Sequence, residues 1–142
     1  MLVTTKGRYA MRLMIRIAQQ GPGGKVPLRQ VAEEEDISLK YLEQVVRPLM
    51  VAGLVRSVRG KGGGYALARD AAEIRAGDVL RAAEGSTVPV VCLALGEEAG
   101  GCPRKDECPT VGFWAGLDKV IEEYVDGSTL ADLAERAPSV SV

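Results

Sequence analysis

The chain has 142 residues, of which 46% are hydrophobic and 26% charged, the balance of one soluble globular domain or a small domain with an appended element. No run approaches the ~20 apolar residues of a membrane span, and the start Met1-Leu2-Val3-Thr4-Thr5-Lys6 lacks the form of a signal peptide, so a cytoplasmic protein is expected. A net charge of −1 conceals two opposite halves: residues 1–75 hold 13 Lys and Arg against 7 Asp and Glu, and residues 76–142 hold 5 against 12, which points to a polyanionic partner for the first half.

Tyr9, Ala10, Leu13, Met14, Ile17 and Ala18 recur at steps of three and four, the apolar stripe of a helix, while Arg8, Arg12 and Arg16 fall on another face. Gly21-Pro22-Gly23-Gly24 stops this helix, and Lys25-Val26-Pro27 reads as an extended connector. A short helix is expected from Leu28 to about Glu35, with a turn at Asp36-Ile37. Ser38 is a good N-cap for the next helix, which buries Leu42, Val45, Val46 and Leu49 and reaches about Ala52 before Gly53. Pro48 inside it predicts a kink or an early end.

Leu54–Val58 and Tyr65–Leu67 alternate as strands do, and the glycine-rich basic stretch 59–64 between them makes a hairpin. A further helix is expected over Ile74–Ala83. Residues 85–109 show no period and contain Cys92, Cys102 and Cys108. A long helix follows from about Thr110 to Val125, striped by Phe113, Trp114, Leu117, Val120, Ile121 and Tyr124, with Gly127 ending it. Ser128 or Thr129 then opens a last short helix through Leu130, Leu133 and Ala134.

Helix, helix, turn, helix and hairpin is the order of a winged helix-turn-helix. The expected fold is therefore mostly α with a small β-wing: a winged domain over residues 1–83, a cysteine-bearing segment over 84–109, and a dimerisation helix with a C-terminal helix over 110–142. The helix from Ser38 can lie in a major groove. Its buried stripe leaves Ser38, Lys40, Tyr41, Glu43, Gln44 and Arg47 pointing away from the core. Lys and Gln pair with base edges, Glu accepts from cytosine, and Ser and Tyr hold phosphates. At the wing tip, Arg59, Gly60 and Lys61 place cations on a thin loop that can enter a narrow minor groove. A nucleotide-type phosphate loop is the weaker reading of these glycines, because no Lys-Ser/Thr follows and a strand follows in place of a helix. No His, nucleophile elbow or paired-carboxylate site is evident, so an enzyme is not expected.

The stretches Thr5-Lys6-Gly7-Arg8-Tyr9-Ala10, Ile37-Ser38-Leu39-Lys40-Tyr41-Leu42-Glu43-Gln44, Gly53-Leu54-Val55, Ser57-Val58-Arg59-Gly60 and Gly62-Gly63-Gly64-Tyr65 resemble the Rrf2 family of bacterial transcription regulators. The resemblance runs from Met1 to about Ala134. It implies a homodimer whose long penultimate helices cross and whose winged domains read a pseudo-palindromic double-stranded DNA operator. It also implies DNA contact by Tyr9, base preference tuned by Glu43, and minor-groove entry by Arg59.

Three cysteines in a protein expected in the cytoplasm argue against structural disulfides, and clustered thiols suit zinc or an iron–sulfur cluster. Many Rrf2 members use three cysteines in this segment. The spacing Cys102-x5-Cys108 is similar to theirs, while the gap from Cys92 to Cys102 is longer. The family's iron–sulfur-regulating members place a His three residues after the last cysteine; here that residue is Val111. Its nitric-oxide-sensing members can supply an N-terminal acid from the partner; here that position is Arg8. The fourth ligand thus stays open among Asp106, Glu107, water and a small thiol, and a His-free set favours [4Fe-4S] over [2Fe-2S]. The alternative is a cluster-free regulator working through a partner protein or thiol oxidation. The ending Gly127-Ser128-Thr129-Leu130-Ala131-Asp132-Leu133-Ala134 is similar to that of the family's cysteine-metabolism repressors.

Overall fold

A computed structural model describes residues 3–94 and 102–137. Helix α1 (Thr5–Gln19) buries Ala10, Leu13, Met14 and Ile17. Strand β1 (Lys25–Val26), helix α2 (Leu28–Glu35) and helix α3 (Leu39–Val51) follow. Strands β2 (Val55–Val58) and β3 (Gly64–Leu67) form the hairpin. Helix α4 (Ala76–Glu84), the single turn α5 (Val91–Ala94), the long α6 (Val111–Asp126) and the short α7 (Leu130–Arg136) complete the chain. No described helix is long and apolar enough to cross a membrane.

One core joins most of these elements. Leu13, Met14 and Ile17 of α1 meet Val31 of α2, Leu42, Val45 and Leu49 of α3, Val26 and Val55 of the sheet, Val79 of α4 and Leu130 of α7. Each such aliphatic side chain stabilises the fold by roughly 1.5–3 kcal/mol on burial.

The connector expected at Lys25-Val26 is a strand: β1 pairs antiparallel with β3, giving the sheet order β1-β3-β2. Two residues are too few to show an alternation in sequence, and the pairing comes from a partner 39 positions away, with Val26 opposite Tyr65. At Pro48 the helix does not end; α3 continues to Val51, and the amide of Ala52 still reaches the Pro48 carbonyl at 3.0 Å. Gly53, at φ +73°, closes it as expected, letting the Leu54 amide return to the Leu49 carbonyl at 3.0 Å.

The helix expected from Ile74 begins later, at Ala76. Ile74 is extended and fully buried, and its carbonyl accepts from the Leu130 amide at 2.7 Å. The Ala76 amide donates in turn to the Ser128 carbonyl at 2.9 Å. This long-range exchange docks α7 onto α1, so the last helix packs with the first rather than lying apart. Thr129 is its cap: the Thr129 hydroxyl accepts from the Asp132 amide and the Asp132 carboxylate accepts from the Thr129 amide, both at 3.1 Å.

Helix α6 differs from the rest. Val125 is its single buried residue, while Phe113, Val120 and Tyr124 are 67%, 62% and 77% exposed. The apolar stripe expected there exists: Trp114 and Ile121 are half-buried, while Phe113, Val120 and Tyr124 are left largely uncovered by the described residues.

Candidate functional site

The Ser38 hydroxyl accepts from the Tyr41 amide at 3.1 Å, which starts α3 and fixes its first turn. With Leu42, Val45, Val46 and Leu49 buried, Lys40, Glu43, Gln44 and Arg47 stand exposed along the opposite side. The same face continues into Met50 and Val51, 39% and 85% exposed. A shallow groove of about 380 Å³ lies there, lined by Glu43, Val46, Arg47, Met50, Val51 and Tyr65, so the end of α3 and the wing strand β3 share one surface.

Tyr41 is half-buried because its ring packs edge-on against Tyr9 of α1, with centroids 5.9 Å apart and planes at 82°. The Arg12 guanidinium lies 5.7 Å from the Tyr9 ring centre. The basic face of α1 is thereby divided. Arg8 is exposed, whereas Arg12 pairs with Glu35 at 3.1 Å. Arg16 is 6% exposed and binds Glu34, and also Glu35 at 3.2 Å. Arg16 thus ties α1 to α2, a structural role that residue spacing alone did not distinguish from DNA contact. The Gln30 side chain, and then Arg16, hold the Glu34 carboxyl below its ordinary range.

Arg59, Gly60 and Lys61 are all exposed at the tip of the hairpin. Gly60 has φ +99° and its carbonyl accepts from the Gly63 amide at 2.9 Å. A Cβ on Gly63 would strike the Val58 carbonyl oxygen. The turn leaves no room for a side chain at Gly63, and the positive φ of Gly60 and Gly62 favours glycine there, so the two cations extend from a thin loop.

Sequence reasoning missed how α1 is started. Its N-cap, Thr4, makes no side-chain bond to its own helix. The Glu84 carboxylate at the end of α4 does the work instead. It accepts from the Thr4 amide at 2.8 Å, the Thr4 hydroxyl at 2.7 Å and the Gly7 amide at 3.0 Å. A carboxylate at a helix N-terminus complements both the unpaired amides and the dipole. No local sequence signal marks a partner 80 residues distant.

Cys92 lies on α5, and Cys102 and Cys108 lie in the turns before α6; all three residues are half-buried and their thiols are free. Among the described residues, no group of three or more His, Cys, Asp or Glu side chains is gathered closely enough to hold a metal ion. Cys108 has a shaped environment. Its sulfur lies 3.3 Å from the Thr110 hydroxyl oxygen, which also accepts from the Trp114 indole at 3.2 Å. The bonds to Thr110, then the Val111 amide and the Arg104 charge, lower the thiol from its ordinary value.

A family model described as Rrf2, an iron-dependent transcriptional regulator, matches residues 3–136. The chain is 38% identical over its full 142 residues to the HTH-type transcriptional regulator IscR of Cronobacter sakazakii, covering 85% of that protein. It is similar in structure to CymR, the global cysteine regulator of B. subtilis, with 37% identity, a TM-score of 0.77, and coverage of 97% of this chain and 99% of that one. A structure of T. potens IscR gives 38% identity and a TM-score of 0.74 over 97% of this chain and 89% of that one. These relatives are regulators of transcription and not enzymes, and their likeness extends across the helical and hairpin part and the cysteine-bearing part alike. The chain belongs to the Rrf2 family of transcriptional regulators.

Proposed function

We propose that this regulator binds a two-fold double-stranded DNA operator as a homodimer. Ser38, Lys40, Tyr41, Glu43, Gln44 and Arg47 face the major groove, Tyr9 supports them, and Arg59, Gly60 and Lys61 enter the minor groove. The observation that carries this reading is the exposed face of α3, with Lys40, Gln44 and Arg47, which shares a groove with Tyr65 of wing strand β3. The uncovered apolar face of α6 supports a second copy as its occupant. A fluorescence-anisotropy titration with operator DNA tests the contact. Affinity should fall steeply with salt, because neutralised phosphates release counterions; a flat dependence would contradict it.

Cys92, Cys102 and Cys108 are the sensing residues in this reading. Three soft thiols without His fit an iron–sulfur cluster by ligand chemistry, [4Fe-4S] ahead of [2Fe-2S]. Their spacing in the described structure means that loading must draw them together. Asp106, Glu107, water or a small thiol would complete the set. A bound cluster would supply reactivity toward oxygen, nitric oxide or iron supply. If its binding reorders the 84–109 segment, DNA affinity changes by linkage. Anaerobic purification with an absorbance spectrum and iron and sulfide assays tests this. Colourless, iron-free protein after reconstitution with intact thiols would overturn it.

A second reading keeps DNA binding without a cluster. It is favoured by the likeness to CymR. Control would then come from a partner protein or from thiol oxidation. A variant with all three cysteines replaced by alanine would still regulate normally.

A further inference from the structure

Among the described residues, the best-anchored part of helix α6 is its C-terminal end, which packs on α4. Among the described residues its buried contact is Val125, and its last residue, Asp126, makes the polar ones. The Asp126 carboxylate takes two hydrogen bonds from the Arg81 guanidinium of α4, Oδ1 at 2.5 Å from Nη2 and Oδ2 at 3.4 Å from Nη1. The Asp126 carbonyl accepts from Arg75 Nη1 at 3.2 Å. Arg81 also lies 3.6 Å from Asp78, and Asp78 lies 3.6 Å from Arg69, the second residue after wing strand β3. A forked guanidinium–carboxylate pair fixes direction as well as distance.

Gly77 is what allows this pair to form where it does. It is buried, and a Cβ there would collide with Asp126 Oδ1 and lie 2.7 Å from Arg81 Nη2. The carboxylate therefore sits in the space a side chain would fill. The next residues, through the Ala76 amide and the Ser128 carbonyl at 2.9 Å, lock the chain as it turns back toward α7.

We propose that the Arg81–Asp126 pair, seated over Gly77, is the positioning device that sets the angle of α6 to the winged body and hence the half-site spacing this regulator accepts. The inference rests on the reading above, in which α6 joins two copies on a two-fold operator. In such a dimer each winged domain is joined to its arm at this end, where Val125, the Arg75 bond and the forked Arg81–Asp126 pair meet. A one-base-pair change of spacing moves a half-site by about 3.4 Å and turns it by about 34°. An arm fixed at one end by a forked ion pair resists that change; an arm with a loose end follows it. Arg81 and Asp126 are positioning residues here and touch no DNA.

The test uses a duplex selected by the wild-type protein from a randomised DNA pool, with its half-sites then moved together or apart by one base pair. Wild-type protein should discriminate against both altered spacings by about tenfold or more. Asp126→Asn, Arg81→Lys and Gly77→Ala should each reduce that ratio to about threefold or less. Discrimination against a point change within a half-site should stay as in wild type, as should the dimer mass in sedimentation. A general loss of stability would lower all affinities together and would not flatten the spacing profile alone. An unchanged spacing ratio in folded, dimeric, DNA-binding variants overturns the proposal while leaving the operator reading intact. Selection of a lone half-site by a monomeric wild type overturns both.

Discussion

The ring of Tyr9 stands edge-on to the ring of Tyr41, at 5.9 Å, so the first helix buttresses the first turn of α3 directly. Such a pair contributes roughly 0.5–1.5 kcal/mol beyond the area it buries. Tyr9→Phe keeps the ring contact and removes only the hydroxyl. It should leave the melting temperature nearly unchanged and weaken operator binding a few-fold, if the hydroxyl holds a phosphate. Tyr9→Ala should lose about 1–3 kcal/mol of stability as well. Equal affinities for wild type and Tyr9→Phe would remove the hydroxyl from the DNA contact.

The wing offers a cleaner separation, because Arg59 is exposed and supports no core residue. Arg59→Ala should leave unfolding unaffected within about 0.5 kcal/mol. It should weaken binding more at operators with A/T-rich flanks than at G/C-rich ones, since narrow minor grooves concentrate negative potential. The slope of log affinity against log salt should become shallower by about 1. A uniform loss across flanks would assign Arg59 to phosphate contact instead.

Ser38, Gly53 and the stripe Leu42–Leu49 were legible because each acts within one turn of chain: an Asp, Asn, Ser or Thr cap, a left-handed stop and a period of 3.6 need no distant partner. Lys25-Val26 was read as extended, but its sheet pairing and the late start of α4 after Ile74 were missed because they answer to residues 39 or more positions away, Ala66, Tyr65 and Leu130. The exposed face of α3 was legible for the complementary reason. Side chains left over once a helical stripe is buried must face outward. Arg16 shows where that inference ends, since Glu34 and Glu35 of the neighbouring helix bury it. The three thiols were found from the sequence, but their separation in the described structure could not be read from spacing.

Glu84 is the last residue of α4, and the 85–109 segment begins directly after it. Its carboxylate is the cap of α1, and Gly7 leaves it the space: a Cβ at Gly7 would lie 2.9 Å from Val3 Cγ1 and collide with Glu84 Oε1. Glu84→Ala strands two backbone amides and should lower stability by about 1–3 kcal/mol. Gly7→Ala should do the same by displacing the carboxylate. The double variant should then cost less than the sum, because both changes remove one interaction. Urea unfolding of the four proteins measures this; full additivity would show that the clasp contributes nothing to stability.

Acid should weaken the fold through two carboxylates in particular. Glu34, bonded to Gln30 and Arg16, and Asp132, bonded to the Thr129 amide and hydroxyl, both titrate below their ordinary values of 4.5 and 3.8 in the folded chain. A folded pKa below the unfolded one means that the stabilisation is complete above the unfolded value and is lost as pH falls through the folded one. Melting temperature should therefore hold near neutrality and decline below about pH 4.5. Asp132→Asn should start lower and show a shallower acid decline. An equally steep decline in that variant would exclude the α7 cap as a contributor.

The exposed face of α6 gives a prediction in which stability and assembly part company. Val120 and Tyr124 bury little within one chain, so charging them disturbs few of its own contacts. Val120→Glu and Tyr124→Glu should change unfolding of the isolated chain by no more than about 0.5 kcal/mol. In a dimer built on this face, the same charges would be taken out of water without partners, which costs far more than the lost apolar contact. Sedimentation should show monomers for the double variant and dimers for wild type, with unchanged far-ultraviolet circular dichroism. Operator affinity should fall steeply while weak, salt-sensitive binding to unrelated DNA persists, because each winged domain keeps its own cations. A double variant that still sediments as a dimer would move the interface off α6, and with it the expectation that this helix carries the second reading head.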